Sequence, residues 1–397
     1  MTLPPSGDSK PSASDAVPEV GAASNAYAQA GVDTAAGDRA VELMKAAVQS
    51  TQGPQTMEAL GGFAGLWDAG ELRAYRHPVL ATATDGVGTK VAIAQAMDIH
   101  HTVGRDLVAM VVDDVVVCGA KPLFMTDYIA TGHVVPATIA AIVEGVAAGC
   151  QDTDTTLLGG ETAEHPGTMA PDEYDLAGAA VGVVEKDCLL GAQRVQQGDV
   201  VIGLASSGLH SNGFSLVRAV VKQLGWALDR PVPDFGRTLG EELLEPTRLY
   251  ARVCVTLGQR LGTGLHALSH VTGGGMAANL ARVMPKHLGA VVSRAAWPIQ
   301  PVFQWLHQAG QISWLDLEHT VNLGIGMVAV VAQASANEAL DLLAGAGQQA
   351  VPIGEVGITP DLQQQYQVHG ANPADWIAGA KGVKGGSVLL VDHYTEG

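Results

Sequence analysis

From Pro78 onward, short apolar runs alternate with longer stretches whose apolar positions recur at helical spacing, the rhythm of an α/β chain. The first strand is expected at 79–84. The run 106–118 reads as an apolar helix, 123–131 as a strand and 136–150 as the helix that follows it. Further strands are expected at 155–158, 176–184, 200–205, 290–292 and 321–331, with helices near 214–224, 243–257 and 337–343. The polar turn 196–199 marks the boundary between two halves.

The ends of the chain break this rhythm. Up to residue 26 the composition is Pro, Ser, Ala and Asp without periodicity, which buries too little to offset chain entropy and predicts a mobile tail. Residues 363–386 are rich in Gln, Gly and Ala, and the short run 387–391 after them is expected to add one edge strand. The expected division is a tail 1–26, a first domain 27–195, a second domain 196–360 and a C-terminal extension 361–397.

Composition narrows the function. The 47% of hydrophobic residues support a large core, and 49 glycines point to many tight turns. Forty acids against 22 bases leave a net charge of −18, which argues against a nonspecific grip on nucleic acid or an anionic membrane. Cys118, Cys150, Cys188 and Cys254 form no CxxC pair, so a reducing, cytoplasmic setting fits them and a zinc site does not. Neither a secretory leader nor a membrane span is expected.

Three acidic motifs follow apolar segments. In TATDGVGTK a strand ends at Asp85, Gly86 and Gly88 make a tight turn, and Thr89 and Lys90 open a helical stretch. Strand end, glycine turn and helix start together suit a phosphate, although a surface lysine after a glycine turn reads the same way. It is not a Walker A loop, because Thr89 precedes Lys90. In DLVAMVVDDVVVCGAKP, Asp106 and Asp113 lie two helical turns apart and so share a face, with Asp114 beside them. Buried carboxylates are costly unless paired, so the choice is a cation or an internal salt bridge, for instance to Arg105 or Lys121. In LLGGETAEHPG a strand is expected to end at Gly159 and Gly160 and to present Glu161, Glu164 and His165. Three such carboxylate sets are what a magnesium-nucleotide site needs.

Two further segments suit a phosphate monoester. IGLASSGLHSNGFSL places Ser206, Ser207, Gly208, His210, Ser211, Asn212 and Gly213 between a strand and a helix, without the GxSxG of a serine hydrolase. LHALSHVTGGGMAANL sets His266 and His270 four apart, without the glutamate of a zinc-binding HExxH. Thr272, Gly273, Gly274 and Gly275 follow as a second plausible anion cradle before a helix.

Taken in order, YAQAGVD, GGFAGL, TDGVGTK, GRDLVAM, GAKPLFMTDYIATG, GGETAEHPG, DLAGAAVGVVEK, SSGLHSNG, PTRLY, HALSHVTGGG, VNLGIGM and IGEV closely resemble the phosphoribosylformylglycinamidine cyclo-ligase (aminoimidazole ribonucleotide synthetase) family. Only the two tails fall outside the likeness. The resemblance implies a two-domain α/β (α+β type) fold, with an N-terminal sheet domain that binds ATP and dimerises and a C-terminal α/β domain that holds substrate phosphate. It implies a cytoplasmic homodimer that uses ATP and Mg2+ to close an imidazole ring. It further implies Asp85, Asp114 and Glu161 as metal ligands, with Lys90 and Lys45 near the nucleotide phosphates and the glycines of the TDGVGTK turn close to ATP. SSGLHSNG and TGGG would hold the ribonucleotide phosphate, with His210 handling protons.

The chain departs from the family pattern at Gln29, Asp113, His165 and Val321, where aspartate, asparagine, methionine and phenylalanine are usual. None carries an expected chemical role, but a titratable His165 beside Glu161 would make metal affinity depend on pH. Thiamine-phosphate kinase, of the same superfamily, is the alternative enzyme, and a silent scaffold that kept the fold is the alternative class. The joint survival of Asp85, Asp114, Glu161 and Lys90 speaks against the scaffold.

Overall fold

The computed structural model describes residues 33–57, 62–368, 375–379, 382, 383 and 385–396. The tail expected at 1–26 lies outside the described residues, as do Gln29 and most of the YAQAGVD motif.

The first sheet contains β1 (Pro78–Gly86), β2 (Lys121–Thr131), β3 (Thr156–Glu164) and β4 (Tyr174–Glu185), in the order β1-β4-β2-β3. β4 runs antiparallel to both neighbours, whereas β2 and β3 are parallel and need a helical crossover. α1 (Thr34–Ser50), α2 (Val91–Met97), α3 (His101–Val116) and α4 (Pro136–Asp152) belong to this half, and α4 is that crossover. In α3 only His101, Arg105 and Asp114 escape burial, so its apolar residues need no single stripe. Gly104 and Gly145 let α3 and α4 touch backbone to backbone, since a Cβ on either would collide with the carbonyl oxygen of Ile142 or His101.

The second sheet has seven strands, β5 (Val200–Ala205), β8 (Leu265–His270), β9 (Leu288–Ser293), β11 (Ile325–Val331), β12 (Ala350–Ile358), β13 (Trp376–Ala378) and β14 (Ser387–Val391). Their order is β13-β14-β9-β12-β5-β11-β8. Two small pairs complete the strands: β6 (Pro231–Val232) with β7 (Arg237–Thr238), and β10 (Pro298–Ile299) with β15 (Thr395–Glu396). The helices are α5 (Phe214–Leu224), α6 (Leu239–Leu243), α7 (Ala251–Leu261), α8 (Gly275–Arg282), α9 (Pro301–Gln308), α10 (Trp314–Glu318), α11 (Ala336–Gly345) and α12 (Thr359–Val368). One hydrophobic cluster joins the halves, running from Leu107 and Val111 of α3 to Leu239, Cys254 and Leu257.

The 200–205 strand and the 214–224 helix form where the pattern places them, but four expectations change. The helix expected at 243–257 is two helices separated by residues 244–250, because Pro246 removes an amide donor and disfavours helix before it. β11 starts at Ile325, after a turn with Leu323 and Gly324 both at positive φ. β3 does not stop at 158 but continues through the glycines to Glu164, so Glu161 stands on a sheet and not in a loop. The 387–391 strand forms but is not an edge, since β13 pairs outside it.

Among the described residues, nothing covers one face of the first sheet. Leu80 is 60% and Tyr128 40% exposed, and Thr82, Thr84, Thr126 and Glu161 are also open to solvent. Ala177 and Ala179 of β4 fill the middle of this face with small side chains.

Candidate active site

β1 carries Asp85 to the boundary between the halves. Its side chain is exposed, and Oδ1 accepts the Gly86 amide at 2.8 Å. Gly86 pairs with Ala177 of β4, and a Cβ there would stand 2.7 Å from the Leu176 carbonyl oxygen. Gly88 then turns at φ +70, an αL conformation that other residues adopt at a cost, and starts the short helical turn into α2.

Lys90, expected either on the surface or at the nucleotide phosphates, is fully buried. Its Nζ lies 2.8 Å from Asp106 Oδ2 and donates to the Glu245 carbonyl at 2.7 Å. Asp106 also accepts the Thr247 amide at 2.7 Å and its hydroxyl at 2.6 Å. The internal salt bridge therefore exists, but with Lys90. Arg105 pairs with Asp152, and Lys121 stands 3.9 Å from Glu71. Asp113 receives the Tyr250 amide at 3.1 Å, and burial pushes its carboxyl up to about 7. The shared face of Asp106 and Asp113 meets residues 245–250 of the second half, whose amides and hydroxyl these carboxylates accept.

Asp114 turns the other way and is 40% exposed, with Oδ1 2.8 Å from His270 Nδ1. Burial by itself would lower the His270 pKa. The Asp114 hydrogen bond and the charges of Asp113, Asp114 and Asp85 outweigh it and raise the pKa, favouring the imidazolium. His266 is separate from this pair: its Nδ1 meets Asp199 Oδ2 at 2.7 Å inside the second half.

Between the halves lies a cavity of about 750 Å³, lined by residues 85–89, Met110, residues 175–177 and 211–216, and Thr320. The acidic turn of the first half thus faces Ser211, Asn212 and Gly213 at the start of α5. Asn212 Oδ1 accepts the Gly273 amide at 3.0 Å, joining the two glycine-rich loops. Gly274 and Gly275, at φ +99 and +76, turn the chain into α8. Ser211 shares a hydrogen bond with Thr247, and Ser207 donates to the Pro246 carbonyl. Ser206 donates to the Gly208 carbonyl, so these serines brace the loop from within.

Of the expected residues, Asp114, Ser206, Ser207, Gly208 and residues 272–275 lie outside the wall of this cavity, and so do Lys90 and His210. His210 is buried at φ +62, and its Nε2 accepts the Ser207 amide at 3.2 Å. Burial, then the positive charges of His270, Lys90 and Arg248, hold its pKa well below the usual histidine range. It is a neutral ring inside the loop, with Nδ1 buried and unpartnered. His210 and Lys90 therefore lie behind the wall, engaged with Ser207 and with Asp106.

The expected three-acid magnesium set does not form within one chain. β1 and β3 are opposite edges of the first sheet, three strand spacings or about 14 Å apart, whereas a magnesium ion reaches its ligands at about 2 Å. Among the described residues no three His, Cys, Asp or Glu side chains gather around one point. Glu161 lines a second cavity of about 780 Å³, walled by α1, residues 62–65 and residues 157–162. Lys45 is exposed on α1, and its side chain is not part of that wall.

Glu164 is spent locally, accepting the Val134 amide at 2.6 Å with its side chain only 2% exposed, and His165 Nε2 lies 3.1 Å from the Tyr128 hydroxyl. Asp127, at the second cavity, was not singled out in the sequence. Burial pushes its carboxyl up to about 7. The available signal was an acid two residues from each of two buried apolar positions of β2, Met125 and Ile129.

Residues 67–184 match the family model for the N-terminal domain of AIR synthase related proteins, and residues 196–366 match that for the C-terminal domain. The chain is 48% identical to phosphoribosylformylglycinamidine cyclo-ligase of Geobacillus kaustophilus, over 83% of this chain and 95% of that one. With the enzyme of the same name from Thermosynechococcus vestitus the identity is 49%, over 83% and 96%. Among solved structures it resembles thiamine-monophosphate kinase from Stenotrophomonas maltophilia (TM-score 0.56, 19% identity, 89% of this chain and 95% of that one). A hydrogenase maturation protein in complex with ATP is similar at TM-score 0.57 and 16% identity, over 89% and 91%. At these identities the solved structures share the fold, so nothing here favours the kinase alternative.

Proposed function

The chain belongs to the phosphoribosylformylglycinamidine cyclo-ligase family, and from that premise we propose how its residues divide the work of the reaction. It is an ATP-dependent ligase of purine biosynthesis. Formylglycinamidine ribonucleotide is closed to aminoimidazole ribonucleotide, with release of ADP and phosphate.

An amide oxygen is a poor leaving group. Phosphorylating the formyl oxygen converts it into one, and the amidine-side nitrogen then attacks within the same molecule, where proximity replaces a bimolecular encounter. The protein must hold two anionic ligands in register. We assign the nucleotide to the turn Asp85, Gly86, Gly88 and Thr89, and the ribonucleotide phosphate to Ser211, Asn212 and Gly213 with Thr272, Gly273, Gly274 and Gly275. The observation that carries this is one cavity walled by the acidic turn on one side and the start of α5 on the other, with the 272–275 loop tied to that wall by the Gly273 amide on Asn212 Oδ1. Helix N-termini present free amides and a positive dipole end, which suits the phosphate there.

Proton handling is assigned to His270, which is buried like His210 and outside the cavity wall but, unlike it, hydrogen-bonded to a carboxylate that is 40% exposed, Asp114. Asp114 orients the His270 ring through Nδ1 and favours its protonated form, the form that can donate a proton. Asp85 would be this chain's open carboxylate for a magnesium ion, which when bound would offset phosphate charge. Glu161 stands on the uncovered sheet face, and we propose that this face pairs with a second copy, so that completion of the acid set belongs to a homodimer. The cytoplasm is the proposed location.

The test is turnover of purified protein with MgATP and formylglycinamidine ribonucleotide, followed by mass spectrometry. ADP and a nucleotide lighter by one water should accumulate in equal amounts. A folded protein that binds ATP and forms neither product refutes the reading.

A further inference from the structure

The glycine-rich loop at the cavity, residues 208–213, and the 272–275 loop tied to it through Asn212 both lean on one short segment, residues 318–322. Asn322 Nδ2 donates to the carbonyls of Gly208 and Leu209 at 2.9 and 3.2 Å. Gly213 packs so closely on this segment that a Cβ there would stand 2.6 Å from a Val321 methyl. Gly275 of the other loop packs on the Glu318 carbonyl oxygen, with no room for any side chain. Thr320, between them, lines the cavity itself.

This shared support is anchored from outside the cavity. The Glu318 carboxylate, 4% exposed, takes Arg294 Nε at 2.5 Å and Nη2 at 3.0 Å in a forked pair. Arg294 Nη1 donates to the Leu390 carbonyl at 2.8 Å, tying the pair to β14. The Tyr394 ring lies 5.9 Å from the Arg294 guanidinium and packs against Trp297 and Trp314 at 6.0 and 5.2 Å between ring centres. Burial, then the Glu318 charge, raises the Tyr394 pKa, so its hydroxyl keeps its proton. Trp297 Nε1 in turn donates to the Leu323 carbonyl at 2.8 Å.

We propose that the Arg294–Glu318 pair, clamped by Tyr394, is a positioning device that sets the spacing between the two phosphate-holding loops and so controls affinity for the ribonucleotide. Glu318, Arg294 and Tyr394 touch no reactant; they act through residues 318–322. The inference deepens the proposed function and rests on its assignment of the ribonucleotide phosphate to these loops. It also gives the chain beyond residue 387 a part in substrate binding.

The test uses full-length Glu318→Gln, which keeps the shape and removes the charge, Arg294→Lys, which keeps the charge and loses the fork, and Tyr394→Phe, which removes one hydroxyl. Steady-state kinetics are measured against each substrate, with thermal unfolding alongside. In Glu318→Gln the KM for formylglycinamidine ribonucleotide should rise at least about tenfold while the KM for ATP stays within about twofold. Arg294→Lys and Tyr394→Phe should shift the same constant by smaller factors. A folded Glu318→Gln protein with an unchanged ribonucleotide KM, or with both constants rising together, overturns the proposal. If Glu318→Gln does not fold, Tyr394→Phe is judged by the same split. Asn212→Ala separates the underlying assignment: an unchanged ribonucleotide KM there would remove the phosphate from these loops, whatever the Glu318 variant does.

Discussion

Lys90 Nζ stands 3.0 Å from Asp106 Oδ1 and 2.8 Å from Oδ2, and neither side chain meets solvent. The pair joins the start of α2 to α3, and through Thr247 it reaches the second half. Removing one partner of a buried pair leaves an uncompensated charge, which costs about 3–5 kcal/mol. Lys90→Met is therefore expected to lose about that much stability. Denaturant titration checks it, and a folded variant with wild-type stability but a raised KM for ATP would return Lys90 to the nucleotide.

Asp85 is the opposite case. It is exposed, and its Oδ1 accepts the adjacent Gly86 amide, so Asp85→Ala should keep the fold. If it faces the nucleotide, turnover should fall by about 10²-fold or more. Circular dichroism together with ADP release decides this, and a folded variant turning over at the wild-type rate would refute the role and revive the silent scaffold.

Asp127 gives a pH dependence of known sign. Its carboxyl is raised from 3.8 to about 7, so between these values the folded protein holds a proton that the unfolded chain releases. Its contribution to stability is present at low pH and is lost as pH rises from about 4 to about 7. Asp127→Asn should gain stability relative to wild type between pH 5 and pH 8. Unfolding midpoints at the two pH values test this, and an equal difference at both would show that Asp127 titrates normally.

His165 Nε2 lies 3.1 Å from the Tyr128 hydroxyl, a partner other than Glu161. His165→Met should leave the magnesium dependence of turnover unchanged across pH 6–8. A shift of the half-saturating magnesium concentration that grows with pH would restore the coupling to Glu161.

Much of this molecule was legible before folding. Alternation and helical spacing placed β5 and α5. The break at 244–250 was readable too, from Pro246, but its purpose was not: Thr247 and Tyr250 supply the amides that occupy Asp106 and Asp113. The 265–270 run illustrates the limit. Four residues bring His266 and His270 to the same side of a strand as readily as of a helix, yet their partners, Asp199 and Asp114, come from 67 and 156 residues away.

The sequence by itself determined the α/β class, the family, and the glycine, serine and acid motifs that line the cavity, because turns, strand ends and helix starts obey local rules of backbone geometry and spacing. Only the tertiary structure decided which charged residues are available for chemistry. Lys90 and Asp106 neutralise each other, His210 is sealed beneath its own loop, Asp114 is paired with His270, and Glu161 lies across the sheet from Asp85. Burial and pairing depend on residues distant in the chain, and no local pattern encodes which partner folding will bring.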